Sequence, residues 1–141
     1  MQPAPLREHK SMSLEPTIKC SDITRPLAFY VDVLDFSVVL APDPDPDSFM
    51  SRYAYLQRQG DGMHLSSHAG DGVFGNVVYV RVDNVDELCN RFFERGLQTT
   101  DAENFPALTI PLTDQTWGMR EFSVRDPDGN KLTFGQPSEN A

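Results

Sequence analysis

Nitrogen, sulfur and carboxylate donors are what a metal site or a nucleophilic mechanism needs, and this chain spreads its histidines and cysteines thinly. It holds three histidines, His9, His64 and His68, and two cysteines, Cys20 and Cys89. A metal site needs three or four converging donors, because one imidazole or carboxylate alone binds too weakly. His9 falls in an N-terminal tail and His68 in a Gly-rich connector, so neither adds to a cluster around His64. The cysteines form neither a CxxC pair nor a disulfide framework. Both lack a histidine nearby in sequence, and parity puts both on the core side, where a thiol is a small hydrophobe. There is no GxSxG elbow, no P-loop and no GxGxxG after a strand. The run from Gly70-Asp-Gly72 to Gly75 is followed by a strand, which makes it a linker and not a phosphate cradle.

The rest of the composition narrows the partners. The 141 residues carry 12 Lys and Arg against 21 Asp and Glu, a net charge of −9. Such a surface repels polyphosphate and anionic lipid, so nucleic acid and membrane are not expected partners, while a cationic ligand is attracted. With 39% hydrophobic and 10% aromatic residues, a chain of this length builds one core. No apolar run reaches a membrane span, and Met1 to Ser13 has no apolar stretch of the signal-peptide kind. A cytoplasmic protein with reduced thiols is the expectation, with loose tails over 1–13 and 138–141.

The elements that must position any site follow from spacing. Glu15 to Cys20 reads as a strand, and Ser21 or Asp22 can cap a helix with Pro26 in its first turns. Leu27, Tyr30, Val31 and Leu34 recur at i, i+3, i+4 and i+7, a helix of about three turns. Ser37 to Ala41 is a strand. Pro42 to Asp47 cannot be regular, and its three carboxylates either face a ligand or lie in a solvated loop. Arg52 to Arg58 and Met63 to Ser67 are strands joined by a turn over Gln59-Gly-Asp-Gly62. After a connector over 68–76 the order repeats. Val77 to Val82 is a strand; Val85, Leu88, Cys89 and Phe92 form a helix face closed at Gly96. Strands follow near Ala107–Leu112, over Met119–Arg125 and over Asn130–Gly135, the last two joined by Asp126-Pro-Asp-Gly129. Two runs of strand, helix and three strands form an internal duplication, with units over 14–67 and 77–137.

The segment Ser21-Asp-Ile-Thr-Arg-Pro-Leu-Ala-Phe-Tyr-Val-Asp-Val-Leu-Asp-Phe36 resembles the first-helix signature of the vicinal-oxygen-chelate superfamily. That superfamily unites glyoxalases, extradiol dioxygenases and bleomycin-resistance proteins. Trp117-Gly-Met-Arg-Glu-Phe through Asp126-Pro-Asp-Gly-Asn130 resembles the bleomycin-resistance branch most. The resemblance implies an α+β fold in which two βαβββ modules curve into a mixed-sheet groove, commonly within a homodimer.

It also implies where a metal would sit: at the start of each module's first strand and in each module's last strand. Those positions are Glu15 and His64 in the first module, and Val77 and Thr133 in the second. Val77 offers no lone pair and neutral Thr133 is a poor ligand, so no metal or other cofactor is expected, with Glu15 and His64 the residual candidates. Strand parity gives the groove lining, which includes Tyr53, Tyr55, His64, Tyr79, Glu121 and Thr133. In bleomycin-resistance proteins two aromatics sandwich the drug's flat tail, and the matching positions are Tyr53 and Trp117, with Phe49 and Phe74 as further loop candidates. The expected function is non-enzymatic binding of a cationic aromatic antibiotic of the bleomycin type. The alternative is a metal-dependent lyase, isomerase or transferase of the same superfamily, working through Glu15 and His64.

Overall fold

The structure is a computed structural model that describes residues 12–99 and 106–138. Of the expected tails, only Met12, Ser13 and Ser138 fall within the described residues. The first module runs β1 (Thr17–Lys19), α1 (Thr24–Ala28), β2 (Ser37–Leu40), β3 (Tyr53–Arg58) and β4 (Asp61–Ser66). The second runs β5 (Val77–Arg81), α2 (Val85–Glu94), β6 (Ala107–Asp114), β7 (Met119–Arg125) and β8 (Lys131–Pro137). Each module closes one four-stranded sheet, in the orders β1-β4-β3-β2 and β5-β8-β7-β6. In each, the first strand pairs parallel with the last and the other pairs are antiparallel. The duplication read from the sequence is therefore a duplication of topology. The fold is α+β, two βαβββ modules as expected.

Both helices form because their apolar residues share one face. On α2, Val85, Leu88, Cys89 and Phe92 are all buried. Asn84 caps it by accepting the Glu87 N–H, while Glu87 reaches back to the Asn84 side chain, and Gly96 takes a φ of 106° beyond its end. The first helix departs from expectation in its second half. Asp22 accepts the Thr24 N–H, whereas Ser21 turns away to Asp128 of the other module. After Ala28 the helix widens into a π-helical segment, Phe29–Val33, in which the Leu34 N–H reaches the Phe29 carbonyl five residues back. That widening keeps Phe29, Tyr30 and Leu34 all buried.

One core lies on the helix side of both sheets. It joins Ile18, Tyr30, Leu34, Leu56 and Leu65 to Phe92, Phe122, Val124, Leu132 and Phe134. Phe92 meets Phe122 and Phe134 edge-on, at 5.9 and 5.2 Å between centroids. Polar ties cross between the modules at the Asp126–Asn130 turn. Tyr30 Oη donates to Asp126 Oδ2 at 2.9 Å, and Asn130 Nδ2 donates to the Lys19 carbonyl at 3.0 Å. Both cysteines are buried, and burial pushes the Cys20 thiol up to about 12. Among the described residues no helix is long and apolar enough to cross a membrane.

The first hairpin corrects the sequence reading. Arg58 pairs with Asp61, so the turn is Gln59-Gly60 alone, with φ of 51° and 85°, and Asp61-Gly62 belongs to β4. Two successive positive φ values match the right-handed twist of the strands they join.

Candidate functional site

Alternation in β3 sends Ala54 and Leu56 into the core and leaves Tyr53 and Tyr55 on the opposite face. There Tyr55 stands opposite His64 of β4, and His64 stands opposite Thr17 of β1. Glu15, two residues before Thr17, reaches over this row. His64 Nε2 lies 3.0 Å from Glu15 Oε1, and Tyr53 Oη lies 2.5 Å from His64 Nδ1. Tyr55 Oη donates to Glu15 Oε2 at 2.5 Å. Sequence parity named Tyr53, Tyr55 and His64 as lining and the resemblance singled out Glu15; the fold joins the four in one hydrogen-bonded chain. The Tyr55 and His64 bonds hold the Glu15 carboxyl below its ordinary range. Loss of solvation, then the nearby Tyr55 and Glu15, raises Tyr53. Gly62 makes the arrangement possible, since a Cβ there would collide with Tyr55 Oη and Glu15 Oε2.

The second module repeats the design with different chemistry. By strand register Tyr79 occupies the place of Thr17, and Thr133 the place of His64. Tyr79 Oη donates to Glu121 Oε2 at 2.6 Å, over a Gly135 whose Cβ would strike that hydroxyl. Burial, then the Glu121 bond, pushes the Tyr79 hydroxyl up to about 12. Thr133 Oγ1 is 2.8 Å from Ser123 Oγ, and Val77 is 63% exposed.

These residues do not fit the divalent metal that enzymes of the resembled superfamily hold. The second module contributes an aliphatic side chain and a threonine hydroxyl already bonded to serine. In the first, Glu15 and His64 are hydrogen-bonded to each other, and each is also bonded to a tyrosine hydroxyl. Among the described residues no group of three or more His, Cys, Asp or Glu side chains converges. One carboxylate, one imidazole and two tyrosine hydroxyls held this way can orient polar groups of a ligand.

Beside His64 a cavity of about 250 Å³ is lined by Thr17, Tyr53, Ser66 and Asp71. Asp71 comes from the connector, which folds back over β1 and accepts the Ser66 hydroxyl at 2.8 Å. Lys19 lies 5.5 Å above the Phe74 ring. Phe49, 73% exposed, stacks on His68 at 3.9 Å between centroids. No role for His68 is legible in the sequence, because only the return of the connector brings the two rings together. Trp117 is 64% exposed in the turn before β7, next to Gly118 at φ 83°. The carboxylates of Pro42–Asp47 are partly spent inside their own loop: Asp43 and Asp45 each accept the backbone N–H two residues on.

A family profile described as "Glyoxalase superfamily protein" matches residues 8–140. No curated protein matches the sequence. Among solved structures, a bleomycin-binding protein complexed with bleomycin superposes with a TM-score of 0.71 at 24% identity, covering 91% of this chain and all of the other. A bleomycin resistance determinant encoded on the transposon Tn5 gives 0.70 at 24% identity, covering 92% and 99%. TnmS3, an antibiotic-binding protein from Streptomyces sp. CB03234, gives 0.66 at 25% identity, covering 92% and 98%.

Proposed function

The chain belongs to the glyoxalase superfamily, and from that premise we propose that it is a non-enzymatic binding protein for a planar, cationic small molecule of the bleomycin type. The observation that carries this reading is the apolar and aromatic character of surface left open to solvent. Val77, Tyr79 and Trp117 are 63%, 49% and 64% exposed, in or beside strands whose other face packs the core. Exposed apolar area of this kind marks a surface with a partner. Here a second copy of the chain closes the groove and the ligand stacks inside it. Three structural relatives that bind bleomycin or an antibiotic, or confer resistance to it, support the ligand class. The net charge of −9 attracts a cation to the groove. Sequestration of the free drug follows from binding alone and asks no chemistry of the protein.

Trp117 is the only tryptophan, so its fluorescence reports one site. Titration with metal-free bleomycin is expected to change the emission saturably, at two ligands per dimer. Read by calorimetry, since the variant has no tryptophan, Trp117→Ala weakens binding by roughly 1–3 kcal/mol, the cost of losing an aromatic anchor. No saturable change up to about millimolar drug, with the protein folded, refutes the ligand. Light scattering that returns a single 15.8 kDa subunit refutes the dimer. The enzymatic alternative rests on the Glu15–His64–Tyr53 chain. It displaces this reading if protein purified without chelator carries a stoichiometric metal that His64→Ala removes.

A further inference from the structure

On the face opposite the groove, three arginines from two modules converge on one carboxylate. Arg58 closes β3 on the same side as the buried Ala54 and Leu56. Arg91 lies near the end of α2 and Arg95 just beyond it, four residues apart, so both side chains project from one side of the helix. All three reach Asp35, which follows the first helix at a φ of 63°. Arg91 Nη2 lies 2.7 Å from Asp35 Oδ2, Arg95 Nη2 3.4 Å from Oδ1 and Arg58 Nη2 3.8 Å from Oδ2.

Charge and hydrogen bonding are both left incomplete there. Three guanidiniums bring three positive charges and fifteen N–H donors. Among the described residues their acceptors are Asp35 and the Val31 carbonyl, which takes one bond from Arg95 at 3.1 Å. Arg58 Nε is buried with no hydrogen-bond partner. Against the one Asp35 carboxylate that contacts all three, the cluster holds an excess of two positive charges. Glu87 and Glu94 of α2 line the surface beside Arg91, and among the described residues neither forms an ion pair with these arginines. Burial of Arg58, with Arg91 and Arg95 beside it, lowers its affinity for the proton against the pull of Asp35. The side chains of Arg91 and Arg95 are 53% and 35% exposed, so the cluster opens to solvent.

We propose that Arg58, Arg91 and Arg95 form a site for a dianionic oxyanion, a phosphate or phosphate-monoester group, with Asp35 as the resident carboxylate it competes against. A tetrahedral dianion matches that excess of two charges and supplies the acceptors that planar guanidinium forks lack here. Because Arg58 belongs to the first module and Arg91 and Arg95 to the second, the bound anion also ties the modules together. The site shares no residue with the groove and is independent of the ligand assigned there.

The test is calorimetric titration of the full chain with inorganic phosphate and with pyrophosphate, at an ionic strength fixed with chloride. Saturable one-to-one binding, with a rise in unfolding temperature, is expected. Replacing Arg91→Gln and Arg95→Gln together, both partly solvent-exposed, should weaken that binding at least about tenfold. Asp35→Asn keeps a side chain that tolerates positive φ but removes the competing charge, so phosphate should bind several-fold more tightly. An ion-pair cluster with a purely structural role predicts the reverse: Asp35→Asn lowers stability and phosphate binds no better than chloride. That result, or an unchanged phosphate affinity in the double arginine variant, overturns the site.

Discussion

Tyr30→Phe removes a single oxygen from the most enclosed polar contact between the modules. Asp126 has no exposed surface, and its Oδ2 accepts Tyr30 Oη at 2.9 Å and Asn130 Nδ2 at 3.0 Å. Its Oδ1 accepts the N–H groups of Asp128 and Asn130, each at 2.9 Å. Burial raises the Asp126 pKa above 3.8, against the opposing pull of the Asn130, Tyr30 and backbone bonds. A carboxyl whose folded pKa is raised costs stability above its unfolded pKa, and that cost disappears below it. Stability from this group therefore falls as pH rises from about 3.8 through the raised folded value, then stays level. Losing the Tyr30 donor at neutral pH removes a hydrogen bond to a charged group, about 1.5–3 kcal/mol. For a domain of this size that lowers the unfolding temperature by roughly 4–9 °C. At about pH 3.5 Asp126 is mostly protonated and the same bond is neutral, so the loss shrinks to about 0.5–1.5 kcal/mol. Urea unfolding of both proteins at the two pH values measures the difference. Equal losses at both, or a loss under about 0.5 kcal/mol at neutral pH, would show that Asp126 is not the buried charge described.

Phe92→Ala empties the meeting point of three rings in the second module and should cost about 3–5 kcal/mol in urea unfolding. Gly135→Ala must displace Tyr79 from Glu121, and the ring can swing away, so stability falls by no more than about 2 kcal/mol while the Tyr79 hydroxyl titrates lower. Spectrophotometric titration of the tyrosines reads that change. Asp86 is held below its ordinary range by its hydrogen bonds from Arg120, so its contribution is present at neutral pH and fades as pH falls through its folded pKa. The pair is largely exposed, and Asp86→Asn should cost about 0.5 kcal/mol in low salt and nothing measurable in about 1 M salt.

Much of this fold is readable because spacing decides it. The α2 apolar positions and the succession of strands and helix in each half follow from period and turn residues, and parity with the family resemblance points to Tyr53 and Tyr55 as the lining of β3. The π-helical segment at Phe29–Val33 is not readable, since over ten residues its apolar positions also satisfy an ordinary helix. Asp61-Gly62 looks like a hairpin turn by residue type. Its glycine answers a different need, clearance for the Tyr55 hydroxyl and Glu15, which arises only once three strands lie side by side. Glu15, Tyr53, Tyr55 and His64 could be placed on one face from sequence, but their bonding order could not. Nothing local marks Asp35, Arg58, Arg91 and Arg95 as neighbours, because the packing of one module on the other assembles them.

The parallel pairing of first and last strand in each module also orders events in time. The hairpin of β3 and β4 closes over two residues and forms on the scale of microseconds. Strand β1 meets β4 only across more than forty intervening residues, so its loop entropy is spent before its contacts form. Three residues of β1 thus join late, onto a hairpin already in place. Damage there quickens unfolding far more than it slows folding. A substitution in this three-residue strand, which bears Thr17 at the cavity, is therefore expected to shorten the lifetime of the native state.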